Sequence, residues 1–203
     1  MKILVTGFEP VYEKYNVNAS WEAVKALPEQ LDGAIIEKWQ LPCVYRTIDE
    51  TLMTALECVQ PDVLLCVGYA GRSHGLEVEW LGINRDDCSL PDNEGVVHQG
   101  TPIREDGADA YFTDLPVDTM IQAIRKAGIP AYQSYTAGQY FCNNALYLGR
   151  YLANKVFPGL KSGFIHVPMC AAQVQNGPTT AHIMEIPTIT AGLEAAIRAI
   201  IHA

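Results

Sequence analysis

Cys142 stands in the string Ser134-Tyr135-Thr136-Ala137-Gly138-Gln139-Tyr140-Phe141-Cys142-Asn143-Asn144. A short strand ends before it, Ala137-Gly138 makes a turn, and a helix is expected to begin at or just after Cys142. A thiol at a helix start lies at the positive end of the peptide dipoles, which favours the thiolate. The first-turn N–H groups have no intrahelical partners and can receive an oxyanion. The position therefore suits Cys142 to act as a nucleophile; the competing reading is a structural cysteine buried beside a helix cap.

A nucleophilic cysteine needs a base. The histidines are His74, His98, His166, His182 and His202. His202 is next to the C-terminus and is expected to fray, and His98 falls in an irregular stretch. His166 lies in Gly163-Phe164-Ile165-His166-Val167-Pro168, near the C-terminal end of an apolar strand. That is the sheet edge at which Cys142 is expected to emerge. The competing reading is a hydrogen-bonded core histidine. A carboxylate would orient the imidazole. In Leu76-Glu77-Val78-Glu79-Trp80-Leu81-Gly82-Ile83-Asn84, alternation places Glu77 and Glu79 on one face with Leu81 and Ile83. A carboxylate on a half-apolar strand is costly unless it is paired, and a solvent-facing edge is the alternative. These residues alone do not choose between Glu77 and Glu79.

Other chemistries lack their signatures. The loop Gly68-Tyr69-Ala70-Gly71-Arg72-Ser73-His74-Gly75 has neither the spacing nor the ending of a phosphate-binding loop. No HExxH, HxH or paired-carboxylate pattern implies a metal, and no two of the six cysteines have CxxC spacing.

The elements that must hold these side chains alternate in type. Strands are expected at Ile3-Leu4-Val5 (ending at Gly7), over 34–41, 63–67, 76–84, 129–133 and 162–167. Helices are expected from Asn18 or Ser20 to Leu27, from a Thr47-Ile48-Asp49-Glu50 capping box to Pro61, from Pro116 to Gly128, over 143–155 and over 189–201. Residues 85–110 read as a long irregular excursion, a kind of segment that is often functional. The alternation predicts an α/β fold with a mostly parallel sheet covered by helices on both faces. Its sites are expected at the C-terminal strand ends.

The chain has 203 residues, 49% hydrophobic and 18% charged, with a net charge of −9. One globular domain over 1–203 is expected, and an acidic balance with no basic cluster argues against nucleic acid as a partner. The longest aliphatic run, Val63-Leu64-Leu65-Cys66-Val67, is too short for a bilayer, so no membrane association is expected. The opening Met1-Lys2-Ile3-Leu4-Val5-Thr6-Gly7-Phe8-Glu9 lacks the long apolar region of a signal peptide. A cytoplasmic location with reduced cysteines is the expectation.

Several strings together carry a family likeness along nearly the whole chain. They are Val5-Thr6-Gly7-Phe8-Glu9-Pro10, Val67-Gly68 with Ala70-Gly71, and Glu79 with Asn84. Pro91-Asp92-Asn93-Glu94-Gly95, Tyr140-Phe141-Cys142-Asn143 and Gly163-Phe164-Ile165-His166-Val167-Pro168 complete the set. The chain resembles the pyrrolidone-carboxylate peptidases (pyroglutamyl peptidase I), cysteine peptidases that remove an N-terminal pyroglutamyl residue from peptides through an acyl-enzyme. The resemblance implies a single three-layer α/β/α domain with a twisted central sheet, no cofactor or metal, and a homotetramer. It implies Cys142 as nucleophile and His166 as base. It also implies Glu79 rather than Glu77 as the orienting group, because Glu79 holds the motif position. Phe8, Tyr140 and Phe141 would clamp the lactam ring, Tyr69 would supply backbone hydrogen bonds, and Asn18 would steady the pocket.

This chain departs from the family pattern at four places. Val11-Tyr12-Glu13 follows Pro10 where the family has Phe-Gly-Gly, removing one aromatic. Tyr69 replaces a glutamine, Trp80 replaces a basic residue, and Cys88-Ser89-Leu90 stands where an arginine is usual. Arg85 is the candidate to replace that arginine near an oxyanion. These changes keep two further readings open: a cysteine hydrolase for another small cyclic or N-capped amide, and a low-turnover ligand-binding paralogue.

Overall fold

A computed structural model describes residues 1–11, 16–174 and 181–203. Tyr12 and Glu13, quoted above, lie outside the described residues. The strands are β1 (Lys2–Phe8), β2 (Gln30–Leu31), β3 (Ala34–Leu41), β4 (Val63–Tyr69), β5 (Leu76–Glu79), β6 (Leu81–Ile83), β7 (Ala110–Phe112), β8 (Ala131–Ser134) and β9 (Lys161–Val167). The helices are α1 (Ala19–Lys25), α2 (Tyr45–Val59), α3 (Val117–Lys126), α4 (Phe141–Lys155) and α5 (Ile186–Ile201). The main sheet has the order β2-β3-β1-β4-β9-β5-β8, and β6 and β7 form a separate ribbon.

The sheet separates two cores. On one face α1, α3 and α5 bury Ala23, Met120, Ile124, Leu193 and Ile197 against Ile3, Val5, Leu65 and Ile165. On the other, α2 and α4 bury Leu52, Leu56, Ala145 and Leu152 against Leu4, Leu64, Cys66 and Phe164. Burial on both faces explains why β4 is an unbroken apolar run. The three-layer α/β/α expectation therefore holds. No helix among the described residues is long and apolar enough to cross a membrane.

The sheet is mixed, and this matters for the site. β1, β3, β4 and β9 run parallel, but β5 is antiparallel to β9 and parallel to β8. β8 and β9 thus point in opposite directions. They do not end at one edge, as the sequence reading expected; residues 135–140 carry the chain back to the start of α4. Six residues reach at most about 20 Å, enough for that return.

Three local expectations also change. The predicted strand over 76–84 is two strands in two sheets. At Trp80 the backbone leaves β8 (Trp80 N to Ser134 O, 2.8 Å), and Thr113 N donates to Trp80 O at 3.0 Å. Gly82 then fits against α4, where a Cβ would stand 2.9 Å from the Tyr147 nitrogen. The Thr47 capping box does not form: α2 begins at Tyr45 with no cap from its own flanking side chain. Asp92 accepts from the Tyr45 N–H instead, at 3.0 Å. A cap from 47 residues away leaves no local signature. His202 is not frayed; its Nε2 lies 2.9 Å from Asp32 Oδ2.

Candidate active site

His166 is the penultimate residue of β9, and Gly68 is its register partner on β4. The Cys142 sulfur lies over Gly68: a Cβ there would stand 2.6 Å from Sγ and 2.7 Å from Phe164 Cζ. The absent side chain lets the α4 terminus settle onto the sheet, and Cys142 and His166 line one cavity. Cys142 is the second residue of α4, whose N-cap is Tyr140. No side chain caps this terminus, unlike α1, where Asn18 accepts from Ser20 N. The first-turn amides of α4 are therefore not taken by a side-chain cap.

On the other side of the ring, His166 Nδ1 lies 2.7 Å from Glu79 Oε1. Glu79 is fully buried. An ionised carboxylate can only accept, so Nδ1 carries the proton of that bond and Nε2 is left for the sulfur. The order across the site is sulfur, imidazole, carboxylate. Burial opposes charging of His166, but the charge and hydrogen bonding of Cys142 outweigh it, followed by the bond and charge of Glu79. The imidazole is raised from 6.5 to about 10. A ring held this far up is a good acceptor for a proton from the sulfur it faces.

Register sets which of the two glutamates meets the ring. Glu77 is directly opposite His166 across the β5–β9 pair, whereas Glu79 is two residues on along the same face. The diagonal residue makes the hydrogen bond. Glu77, Glu79 and His166 are also the one metal-competent group found among the described residues, with ligand atoms all within 4.8 Å of one another. There Nδ1 is already committed to Glu79.

The cavity has a volume of about 240 Å³. That is smaller than usual drug-sized sites and suits one small ring better than a peptide segment. All five side chains assigned by resemblance to substrate binding line it: Phe8, Asn18, Tyr69, Tyr140 and Phe141. Asn18 is fully employed there, with Nδ2 donating to Glu9 O at 3.0 Å and Oδ1 accepting from Ser20 N and Oγ. Val11, where the family pattern has an aromatic, lines the cavity too; Cys43, Leu90 and Gln139 also line it and were not anticipated. Leu90 arrives from the 85–110 excursion, and Tyr140 Oη donates to the adjacent Pro91 O at 2.7 Å. Cys43 is a second sulfur in the cavity. Burial, then the charges of Glu9, Cys142 and Asp92, push its thiol well up and keep it protonated. Among the described residues, no carboxylate, ammonium or guanidinium side chain is in the lining.

Arg85 does not replace the absent arginine. It is outside the lining, its Nη2 packs where a Cβ of Gly100 would stand, and its Nε lies 3.5 Å from Asp87 Oδ2. Its carbonyl serves the site indirectly. Buried Asn143 donates to Arg85 O at 3.0 Å and to Ile83 O at 2.9 Å, and accepts from Ile83 N at 2.9 Å. The residue after the cysteine thus fastens β6 to the first turn of α4.

The whole chain, residues 1–203, matches the family model described as pyroglutamyl peptidase. A pyrrolidone-carboxylate peptidase of Streptococcus pneumoniae (strain 70585) is 45% identical over 201 residues, covering 99% of this chain and 93% of the relative. One from Streptococcus pyogenes serotype M1 matches at 45% over 201 residues with the same coverage. Among solved structures, pyroglutamyl peptidase I of Bacillus amyloliquefaciens superposes with a TM-score of 0.94 at 35% identity, over 100% of this chain and 97% of that one. A mutant pyrrolidone carboxyl peptidase from Pyrococcus furiosus gives 0.91 at 32% identity, over 100% and 99%. With the mixed sheet, the cysteine helix and the His-Glu pair falling within a match that leaves no part of the chain uncovered, this chain belongs to the pyroglutamyl peptidase family.

Proposed function

We propose that Cys142, His166 and Glu79 perform the family reaction, removal of an N-terminal pyroglutamyl residue from a peptide. The observation that carries this reading is a thiol and a carboxylate-oriented imidazole meeting in a small cavity that no carboxylate among the described residues lines. The Cys142 thiolate attacks the pyroglutamyl carbonyl, and first-turn amides of α4 hold the oxyanion. The imidazolium of His166 gives its proton to the leaving amine. A water, deprotonated by His166, then hydrolyses the thioester and releases pyroglutamate.

The cavity accounts for the choice of substrate. A lactam carries no charged amine and needs no carboxylate. Phe8, Tyr140 and Phe141 offer apolar surface to its ring, each side chain contributing on the order of 1–3 kcal/mol. An ordinary N-terminus would strand a buried ammonium, which is the stronger discrimination. Release of a fluorophore from a pyroglutamyl amide tests the assignment. Wild type is expected to turn over and Cys142→Ala to be inert; equal rates would remove Cys142 as nucleophile. A panel of other acyl groups tests the specificity, with preference for any of them replacing pyroglutamate.

The six cysteines are all free, which supports a reducing, cytoplasmic setting. The family resemblance further implies a homotetramer. Light scattering of the purified protein tests this, and a particle of the 22.3 kDa chain mass would exclude it.

A further inference from the structure

Glu77 is an acidic group beside His166 and Glu79 that the reaction above leaves without a task. It faces the same side of β5 as Glu79 and stands directly opposite His166. Its carboxylate has an oxygen within 4.8 Å of ligand atoms of both Glu79 and His166. It is half-buried, and no hydrogen bond or ion pair ties it to any described residue. Glu79 is bound on one side only: Oε1 meets His166, while Oε2 is buried without a partner. The imidazole therefore faces two carboxylates, one bonded to it and one unpaired.

We propose that Glu77 is a positioning residue of the active centre, acting through His166 by supplying a second negative charge that keeps the imidazolium protonated at alkaline pH. This rests on the thiolate–imidazolium reading above. An anion a few ångströms from an imidazolium favours its charged form, and more strongly where water is excluded. Glu77 makes no bond to the ring, so it sets the ring's charge without setting its orientation. The pH range of activity is thereby extended upward while the geometry is left to Glu79.

The other ionisable groups facing this point are few. From α4 comes Cys142 and from β5 comes Glu79, both already assigned. From β8, Tyr132 is the register partner of Glu77, and Ser134 that of Glu79. Arg125 of α3 lies 5.9 Å over the Tyr132 ring. β4 contributes only Gly68 opposite His166. Tyr132, the register partner of Glu77, serves as the control.

The experiment measures kcat/KM for a pyroglutamyl amide between about pH 5 and 11, together with the imidazole nitrogen shift of His166 by NMR. Glu77→Gln is expected to lower the alkaline limb and the His166 titration together by roughly one unit. Its rate near neutral pH should change less than threefold. Glu77→Asp and Tyr132→Phe should keep the wild-type limb. A Glu77→Gln limb that coincides with wild type overturns the inference. Should Gln not fold, Glu77→Ser removes the same charge and is held to the same outcome. If the wild-type thiol shows no thiolate reactivity below the free-thiol value of about 8.5, the thiolate–imidazolium reading itself fails, and this is distinguishable because it needs no variant.

Discussion

The sulfur of Cys142 occupies the space that a side chain at Gly68 would fill, 2.6 Å from the nearest Cβ position. Cys142 is therefore seated by a missing atom on a neighbouring strand as well as by its own helix. The same gap admits the Phe164 ring, which lies against His166 with centroids 4.8 Å apart.

Gly68→Ala tests this seating. The methyl must displace either the sulfur or the Phe164 ring, a strain of about 1–3 kcal/mol. The expected outcome is a protein with native circular dichroism, a Tm a few degrees lower, and kcat/KM down at least tenfold. An alanine variant with undiminished activity would show that the sulfur has room to move.

Glu79→Gln keeps the shape of the carboxylate and removes its charge. His166 then loses the negative partner that helps raise it to about 10, and an amide that can turn its NH2 to the ring no longer fixes the tautomer. A loss in kcat/KM of roughly a hundred- to ten-thousandfold is expected at all pH values. In the proposed reaction the imidazolium protonates the leaving amine, so the wild-type profile is expected to stay open up to about pH 10 and close above it. In the variant the remaining activity should close at lower pH. Steady-state kinetics across pH measures both effects.

Asp86 lies outside the reacting atoms and is buried at 2% exposure. Burial raises its carboxyl from 3.8 to about 6, against the lowering effects of Asn144 and His98. Asn144 Nδ2 donates to Oδ2 at 2.8 Å, while His98 Nδ1 is 3.6 Å away, beyond a good hydrogen bond. A group that holds its proton more tightly when folded stabilises the fold below its unfolded value. That contribution is lost as pH rises through the folded value, here about 6. Asp86→Asn, which cannot ionise, is therefore expected to be more stable than wild type at pH 8, by on the order of 1–3 kcal/mol. The two should converge near pH 4. The new amide also offers a donor to Asn144 Oδ1, which has no partner. Urea unfolding at both pH values decides it, and a variant less stable than wild type at pH 8 would contradict the sign.

Much of this protein was legible in its residues. The two-sided apolar run of β4, the amphipathic spacing of α2 and α3 and the stop at Gly128 (φ of 80°) follow from periodicity and backbone chemistry that act over a few residues. The nucleophile candidate was legible for the same reason, because a helix start activates a thiol locally. Tertiary structure alone decided what depends on register and direction. It turned β5 and β8 against β1, β3, β4 and β9, moved the chain to a second sheet at Trp80, and capped α2 with distant Asp92. The pairing of β5 with β9 also made Glu79 the partner of His166 and left Glu77 unpaired beside it. Alternation gives two glutamates one face, but which of them reaches the ring is fixed by how two strands slide past each other. No spacing within either strand encodes that offset.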